Sequence, residues 1–206
     1  MKSLFVSRLL STLVCAIQQG PSSARIRRLA AKIALSLALL ASVTAPLRAQ
    51  TTLVRLVPTQ ISARVGQTFD LSVNVENVNG LYGVDVRLTF DPQVLEVLDA
   101  DTRVEGIQVQ TGQFPSPDFL VRNRVENAEG RIWYAVTQLN PNQPKSGSGT
   151  MMTIQFRARA SGTTLIEVQQ AQLVDNLGVE LNARFEGSLI TVVAEDGSTP
   201  LPPTAT

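Results

Sequence analysis

The sequence predicts an all-β domain, and three observations support this. From residue 51 onward, apolar and polar residues alternate with a period of two, the period of a strand that has one buried face. Turn residues interrupt the alternation, and no segment has the apolar spacing of an amphipathic helix. The pattern gives about nine short strands, a number typical of two packed sheets that close into a jelly roll. The predicted fold is therefore a nine-stranded jelly-roll β-sandwich.

The individual strands follow from five runs of alternation, at residues 69–75, 84–90, 132–136, 154–158 and 188–193. In each run, the apolar residues at every second position are expected in the core and the residues between them on the outer face. Turn signals separate the runs, at Val65-Gly66, Asn79-Gly80, Asp91-Pro92 and residues 140–149. Pro92 is expected to end a strand because proline has no N–H to donate to a neighbouring strand. Gly147 and Gly149 are expected to let the chain turn into the strand that follows.

Residues 1–49 have the composition of an export signal. They contain seven basic side chains and no acidic one, and the run at 33–47 is uncharged. A basic segment, a short apolar run and small residues before a cleavage point are typical of a secretory signal. The run is shorter than the roughly 20 residues that span a bilayer. We therefore expect cleavage after Ala49 and a secreted protein whose membrane contact is limited to the signal, with an uncleaved anchor helix as the alternative.

The remaining residues exclude several function classes. Residues 50–206 contain 11 basic and 17 acidic side chains, which argues against nucleic acid as a partner. The chain has no histidine, and its single cysteine is Cys15, so histidine- and thiol-based catalysis and metal binding are excluded for the predicted mature domain. The domain is expected at 50–194. Residues 195–206 are a predicted tail or linker, since 197–206 carry no charge and three prolines.

Four stretches of the mature region, in this order, resemble the cohesin domain: VGQTFDLSVNVENVNGLYGVDVRLTFDPQVLEVLD (65–99), GRIWYAVTQLNP (130–141), SGSGTMMTIQFRARASGTTLIEV (146–168) and GSLITVV (187–193). In the first stretch, Asn79-Gly80 reads as the turn of a hairpin. The resemblance implies a nine-stranded jelly roll, related in fold to carbohydrate-binding modules. It also implies a non-catalytic module that docks a dockerin-bearing partner in extracellular polysaccharide binding or catabolism.

The resemblance also implies where the partner docks. Asp85 occupies the outward strand position that in many cohesins is an aspartate bonded to the dockerin helix. Trp133 is the only tryptophan, and its alternation with Ile132 and Tyr134 places it on an outer face. An exposed aromatic beside arginine and aspartate is typical of an interface hot spot. The predicted partner-binding residues are Asp85, Arg87, Thr89, Arg131, Trp133, Ala135 and Thr137.

Four of these residues also have an ordinary structural interpretation. A loop such as 100–120 could cover Trp133 and make it part of a small second core. Asp85 could be a solvated strand residue that pairs with Arg131 or Arg87. For Arg87 and Thr89, an ordinary solvent-facing position is favoured over a contact role.

Direct binding of a glycan is the alternative function. Sugar rings stack on planar aromatic side chains, and a glycan-binding sheet normally presents several of them. The mature region offers Trp133 and Tyr82, because Tyr134 is predicted to face the core. The pattern therefore favours at most a small soluble glycan.

Catalysis and metal binding have weak support. The acidic stretch around Asp99, Asp101 and Glu105 supplies paired carboxylates, but nothing in the sequence places them across a cleft. The same stretch offers oxygen ligands for calcium, without the glycine and terminal glutamate of an EF-hand loop. We therefore predict no catalytic residue and no resident cofactor, with calcium as the alternative.

Overall fold

The computed structural model describes residues 51–194, and every regular element in this range is a β-strand. No helix in this range is long and apolar enough to cross a membrane. The predicted export signal at 1–49, the first domain residue Gln50 and the predicted tail at 195–206 lie outside the described residues. The strands are β1 (Thr52–Val57), β2 (Gln60–Arg64), β3 (Thr68–Leu81), β4 (Gly83–Thr89), β5 (Leu95–Val97), β6 (Gln110–Thr111), β7 (Phe119–Glu126), β8 (Arg131–Thr137), β9 (Lys145–Ala158), β10 (Gly162–Val174), β11 (Ala183–Glu186) and β12 (Ser188–Val193).

The strands form two six-stranded sheets. The first has the order β11-β1-β3-β9-β5, with β6 also paired to β9, and the second has the order β2-β12-β10-β4-β8-β7. Two pairs, β1 with β11 and β2 with β12, are parallel, and all other pairs are antiparallel. The predicted all-β jelly-roll sandwich is confirmed. The described residues contain twelve strands rather than nine, in part because β5, β6 and β11 have two to four residues, too few to show alternation.

The core lies between the sheets and is built by the predicted apolar positions. Leu71, Val86, Tyr134 and Ile154 come from four different strands, and each is 0% exposed. Phe156 packs edge-on against Phe90, with ring centroids 5.4 Å apart. The period-two pattern therefore identified the buried face of these strands correctly.

The predicted turn at Asn79-Gly80 is wrong. Both residues lie inside β3, and β3 and β4 belong to different sheets, so they form no hairpin. The chain crosses between the sheets at Tyr82, whose backbone N–H donates to the carbonyl oxygen of Val174 at 2.8 Å. The crossing brings β4 into the second sheet, beside β10 and β8.

The predicted turn at residues 140–149 is confirmed only at its start, where the N–H of Asn142 donates to the carbonyl oxygen of Leu139 at 2.9 Å. Because β9 already begins at Lys145, Gly147 and Gly149 lie inside this strand rather than in a turn before it. The serines of the Ser-Gly-Ser-Gly segment bond to the irregular end of β3. The hydroxyl of Ser146 accepts the N–H of Gly80 at 2.9 Å, and that of Ser148 accepts the N–H of Asn77 at 3.0 Å. These bonds replace part of the regular ladder where its register shifts.

Two β-bulges change which residues share a face. The register of β7 shifts between Leu120 and Arg122, and that of β10 shifts between Val168 and Gln170. An extra residue in one strand reverses the in–out alternation beyond it. On one side of each bulge the outward residues are therefore odd-numbered, and on the other side they are even-numbered.

Candidate functional site

The outer face of β4, β8 and β7, here called the docking face, brings the predicted site residues together. Asp85, Arg87 and Thr89 lie in register with Ala135, Trp133 and Arg131, respectively. Gly83 lies in register with Thr137 at the end of the same pair of strands. These positions share one face because the two strands pair antiparallel without a register shift. The predicted set is therefore a set of spatial neighbours.

Trp133 occupies the middle of this face. Its indole Nε1 donates a hydrogen bond to Oδ1 of Asp85 at 2.9 Å, between diagonal neighbours on adjacent strands. The side chain is 36% exposed, so loop 100–120 does not bury it. The bond fixes the orientation of the ring while part of its surface remains open to solvent.

Two arginines flank the tryptophan ring from the neighbouring strands. The guanidinium carbon of Arg87 on β4 lies 4.3 Å from the ring centroid, and that of Arg122 on β7 lies 4.7 Å from it. Nε of Arg87 also lies 3.7 Å from Oδ1 of Asp85. Each cation–π contact at an exposed site contributes on the order of 0.5–1 kcal/mol. Together with Asp85, the arginines hold the ring in place before any partner binds.

Two predicted contact residues expose little side-chain surface to a partner. Ala135 is 6% exposed, because its methyl group lies in register between the longer side chains of Asp85 and Arg122. Thr137 is half-buried, and its hydroxyl donates to the carbonyl oxygen of Gln138 at 3.1 Å. Ala135 was therefore placed on the correct face but is not accessible there.

Strand β7 extends the docking face and was missed by the sequence analysis. It contributes Arg122 and Arg124, which lie in register with Ala135 and Trp133. Its alternation is hidden because the inward position Asn123 is polar. The amide of Asn123 donates to the carbonyl oxygen of Val109 at 2.7 Å and accepts the N–H of the same residue at 2.9 Å. The apolar run 119–121 ahead of a turn was the signal that could have revealed a strand.

A shallow recess opens beside Trp133 on the docking face. It has a volume of about 430 Å³ and is lined by charged side chains from all three strands, among them Arg87, Arg124, Glu126 and Arg131. Nε of Arg124 lies 3.3 Å from Oε1 of Glu126. The recess therefore presents more positive than negative charge to a ligand or partner.

The docking face combines an exposed aromatic ring with arginines and a carboxylate, a composition typical of protein interfaces. Residues 54–185 match the Cohesin domain family, and this range covers more than half of the chain. The chain belongs to the cohesin family.

Several solved cohesin structures have the same fold. A non-cellulosomal cohesin from the archaeon Archaeoglobus fulgidus has a TM-score of 0.56 and 18% identity, with 71% of this chain and 94% of that chain covered. A type II cohesin from the cellulosome of Acetivibrio cellulolyticus has a TM-score of 0.59 and 16% identity, covering 68% and 95%. A cohesin in a type I cohesin–dockerin complex from Clostridium thermocellum has a TM-score of 0.56 and 15% identity, covering 70% and 100%. No curated protein matches the chain significantly.

The acidic stretch of this cohesin domain forms one wall of a groove beside β7. Oδ1 of Asp99 accepts the backbone N–H groups of Asp101 and Gln108 at 3.2 and 3.0 Å. Hydrogen bonds from Arg103 lower the pKa of Asp101, whose Oδ1 lies 2.7 Å from Nε of that arginine. Glu105 lines the same groove. The carboxylates of Asp99 and Asp101 are thus already bonded to other residues of the same loop. Among residues 51–194, no group of three or more potential ligand side chains is arranged to hold a metal ion.

Proposed function

We propose that this cohesin domain binds a dockerin-type partner on its docking face and performs no catalysis. The observation that carries the proposal is Trp133, which is exposed yet held by Asp85, Arg87 and Arg122. An aromatic side chain that is ordered before binding loses little conformational entropy on binding, so its contacts translate efficiently into affinity. Membership of the cohesin family supports a dockerin as the partner, and the Clostridium thermocellum neighbour is named as a cohesin–dockerin complex.

We place this activity outside the cell, in polysaccharide binding or catabolism. The support for export is the sequence of residues 1–49, with their seven basic side chains and their uncharged run. The support for a polysaccharide context is the cohesin family itself. In this proposal the cohesin holds a dockerin-bearing protein at its place of action, and that protein does the chemistry.

Glycan binding by the docking face has less support. Tyr134 is 0% exposed, so it offers no stacking surface, and two guanidinium groups already lie against the ring of Trp133. A sugar ring would have to displace at least one arginine to stack on the indole. A protein partner can instead contact the edge of the ring and the arginines around it.

A pull-down with the dockerin modules encoded in the same genome tests the proposal, with a glycan array run in parallel. The expected result is capture of at least one dockerin by the wild type, loss of capture by Trp133→Ala, and no glycan signal. Leu189→Ala, at an exposed position of β12, is the matched control and should capture dockerin normally. Glycan binding with no dockerin captured would overturn the proposal.

A further inference from the structure

The docking face carries the opposite charge to the rest of the domain. The outward side chains of β4, β8 and β7 include four arginines and two carboxylates, a net charge of +2. The rest of residues 51–194 contains seven basic and thirteen acidic side chains, a net charge of −6. A local field of one sign on an oppositely charged body steers a complementary partner to that patch.

The positive charge is concentrated toward the end of the face where β8 begins. Arg131 and Arg124 both line the recess beside Trp133, and Arg131 forms no ion pair with another described residue. The only described carboxylate in the recess, Glu126, is already paired with Arg124. The recess therefore has cationic hydrogen-bond donors in excess and can accept a carboxylate from outside.

The opposite end of the face exposes two large apolar side chains, next to the carboxylate of Asp118, which already accepts hydrogen bonds from Leu139 and Asn142. Phe119 is 53% exposed and lies in register with Thr137 at the end of β8. Leu139 is 48% exposed, and its backbone N–H donates to Oδ2 of Asp118, next to Phe119 in the chain. Thr137 lies six residues beyond Arg131 along β8. At about 3.3 Å per residue, the two ends of the face are therefore about 20 Å apart. A cluster of large exposed apolar side chains marks a contact surface.

We propose that the dockerin-type partner presents carboxylates to Arg124 and Arg131 and apolar side chains to Phe119 and Leu139. This inference rests on the proposed function and adds the chemistry and the orientation of the partner. The two ends of the docking face differ in kind and lie about 20 Å apart. A partner with one acidic and one apolar end therefore matches the face in one direction only, and turning it end for end would place its carboxylates on Phe119.

The test measures the Kd of a dockerin that wild-type protein captures, at salt concentrations of about 0.1 M and about 1 M, where the Debye lengths are about 10 Å and about 3 Å. The double variant Arg124→Glu/Arg131→Glu should weaken binding at least about tenfold at the lower salt, and by much less at the higher salt. Arg184→Glu, an exposed position of β11 in the first sheet, is a charge-reversal control away from the docking face and should have little effect. Phe119→Ser should weaken binding with the salt dependence unchanged, whereas Leu177→Ser, at a position 81% exposed in a loop, should not.

Orientation is tested by exchanging charges between the partners. A dockerin whose acidic contact residues are replaced by lysine should lose affinity for wild-type protein and regain it with the Arg124→Glu/Arg131→Glu variant. Thermal unfolding of each variant checks that the fold is retained. Dockerin binding that is insensitive to salt and to the double variant would overturn this inference and leave the proposed function standing. Absence of any dockerin binding by the wild type would overturn both.

Discussion

Trp133 on β8 donates its indole N–H to Oδ1 of Asp85 on β4 at 2.9 Å, while Arg87 and Arg122 lie against its ring. The bond joins diagonal neighbours across two strands, and long side chains reach each other at this spacing. The consequence is an aromatic side chain that is both exposed and ordered. This combination makes Trp133 the centre of the docking face.

Trp133→Ala should weaken binding of a captured dockerin about 30-fold or more, which corresponds to about 2 kcal/mol, the usual scale of a hot-spot truncation. Titration calorimetry measures this directly. Trp133→Phe keeps an aromatic ring and loses the N–H donor, so its Kd should fall between those of the wild type and the alanine variant. An alanine variant that binds as tightly as the wild type would show that the partner docks elsewhere.

Asp85→Ala and Asp85→Asn separate the hydrogen bond to Trp133 from the charge of the carboxylate. The asparagine side chain can still accept the indole N–H, whereas alanine cannot. Because Trp133 is the only tryptophan, its near-UV circular dichroism reports how well this one ring is ordered. We expect the tryptophan band to weaken in Asp85→Ala and to persist in Asp85→Asn. Equal bands in both variants would contradict a role for this bond in holding the ring.

The part of the site that the sequence predicted lies on two strands with a clear period of two. Apolar and polar residues alternate strictly in run 84–90, whereas run 132–136 is apolar throughout and takes its parity from the polar flanking residues Arg131 and Thr137. The contact of Asp85 with Trp133 did not follow from parity, since it depends on β4 and β8 being neighbours in register. Pairing of strands distant in sequence is a tertiary property, and only the family resemblance suggested it.

The part of the site that the sequence did not predict depends on a bulge and on a polar inward residue. Phe119 and Arg122 share the docking face although their parity differs, because the extra residue Val121 lies between them. Asn123 faces inward but bonds to the backbone of Val109, so it does not look like a core residue in the sequence. The burial of Ala135 was equally invisible, because it depends on the length of its cross-strand neighbours.

Gly130→Ala should destabilise the fold strongly, and Gly66→Ala should do so mildly. Both glycines have positive φ, +64° and +82°, which costs an L-residue roughly 1–2 kcal/mol. A Cβ on Gly130 would also lie 2.1 Å from the carbonyl oxygen of Phe90, whereas a Cβ on Gly66 would have no atom within 4 Å. We expect a loss of about 1 kcal/mol for Gly66→Ala and at least about 3 kcal/mol for Gly130→Ala.

Urea unfolding at equilibrium measures both glycine losses. Gly66→Ala is the matched control, since it carries the same backbone cost without the clash. Equal losses in the two variants would show that the turn at Gly130 shifts enough to accommodate the methyl group. That turn joins β7 to β8, so a large loss confirms that it fixes two strands of the docking face.

Stability should fall as the pH rises from about 10 to about 12, because of Tyr134. Burial raises the pKa of this tyrosine from 10.0 to about 12, so in this range the unfolded chain releases a proton that the folded chain keeps. Because the unfolded state then binds fewer protons than the folded state, a rise in pH favours unfolding. Each unit of difference between the two pKa values lowers the free energy of unfolding by about 1.4 kcal/mol. Urea unfolding at a series of pH values measures the decline. Tyr134→Phe removes the ionisable group from the core, so its stability should decline less over the same range. Parallel pH profiles for the two proteins would show that the hydroxyl ionises as readily in the folded state as in the unfolded chain.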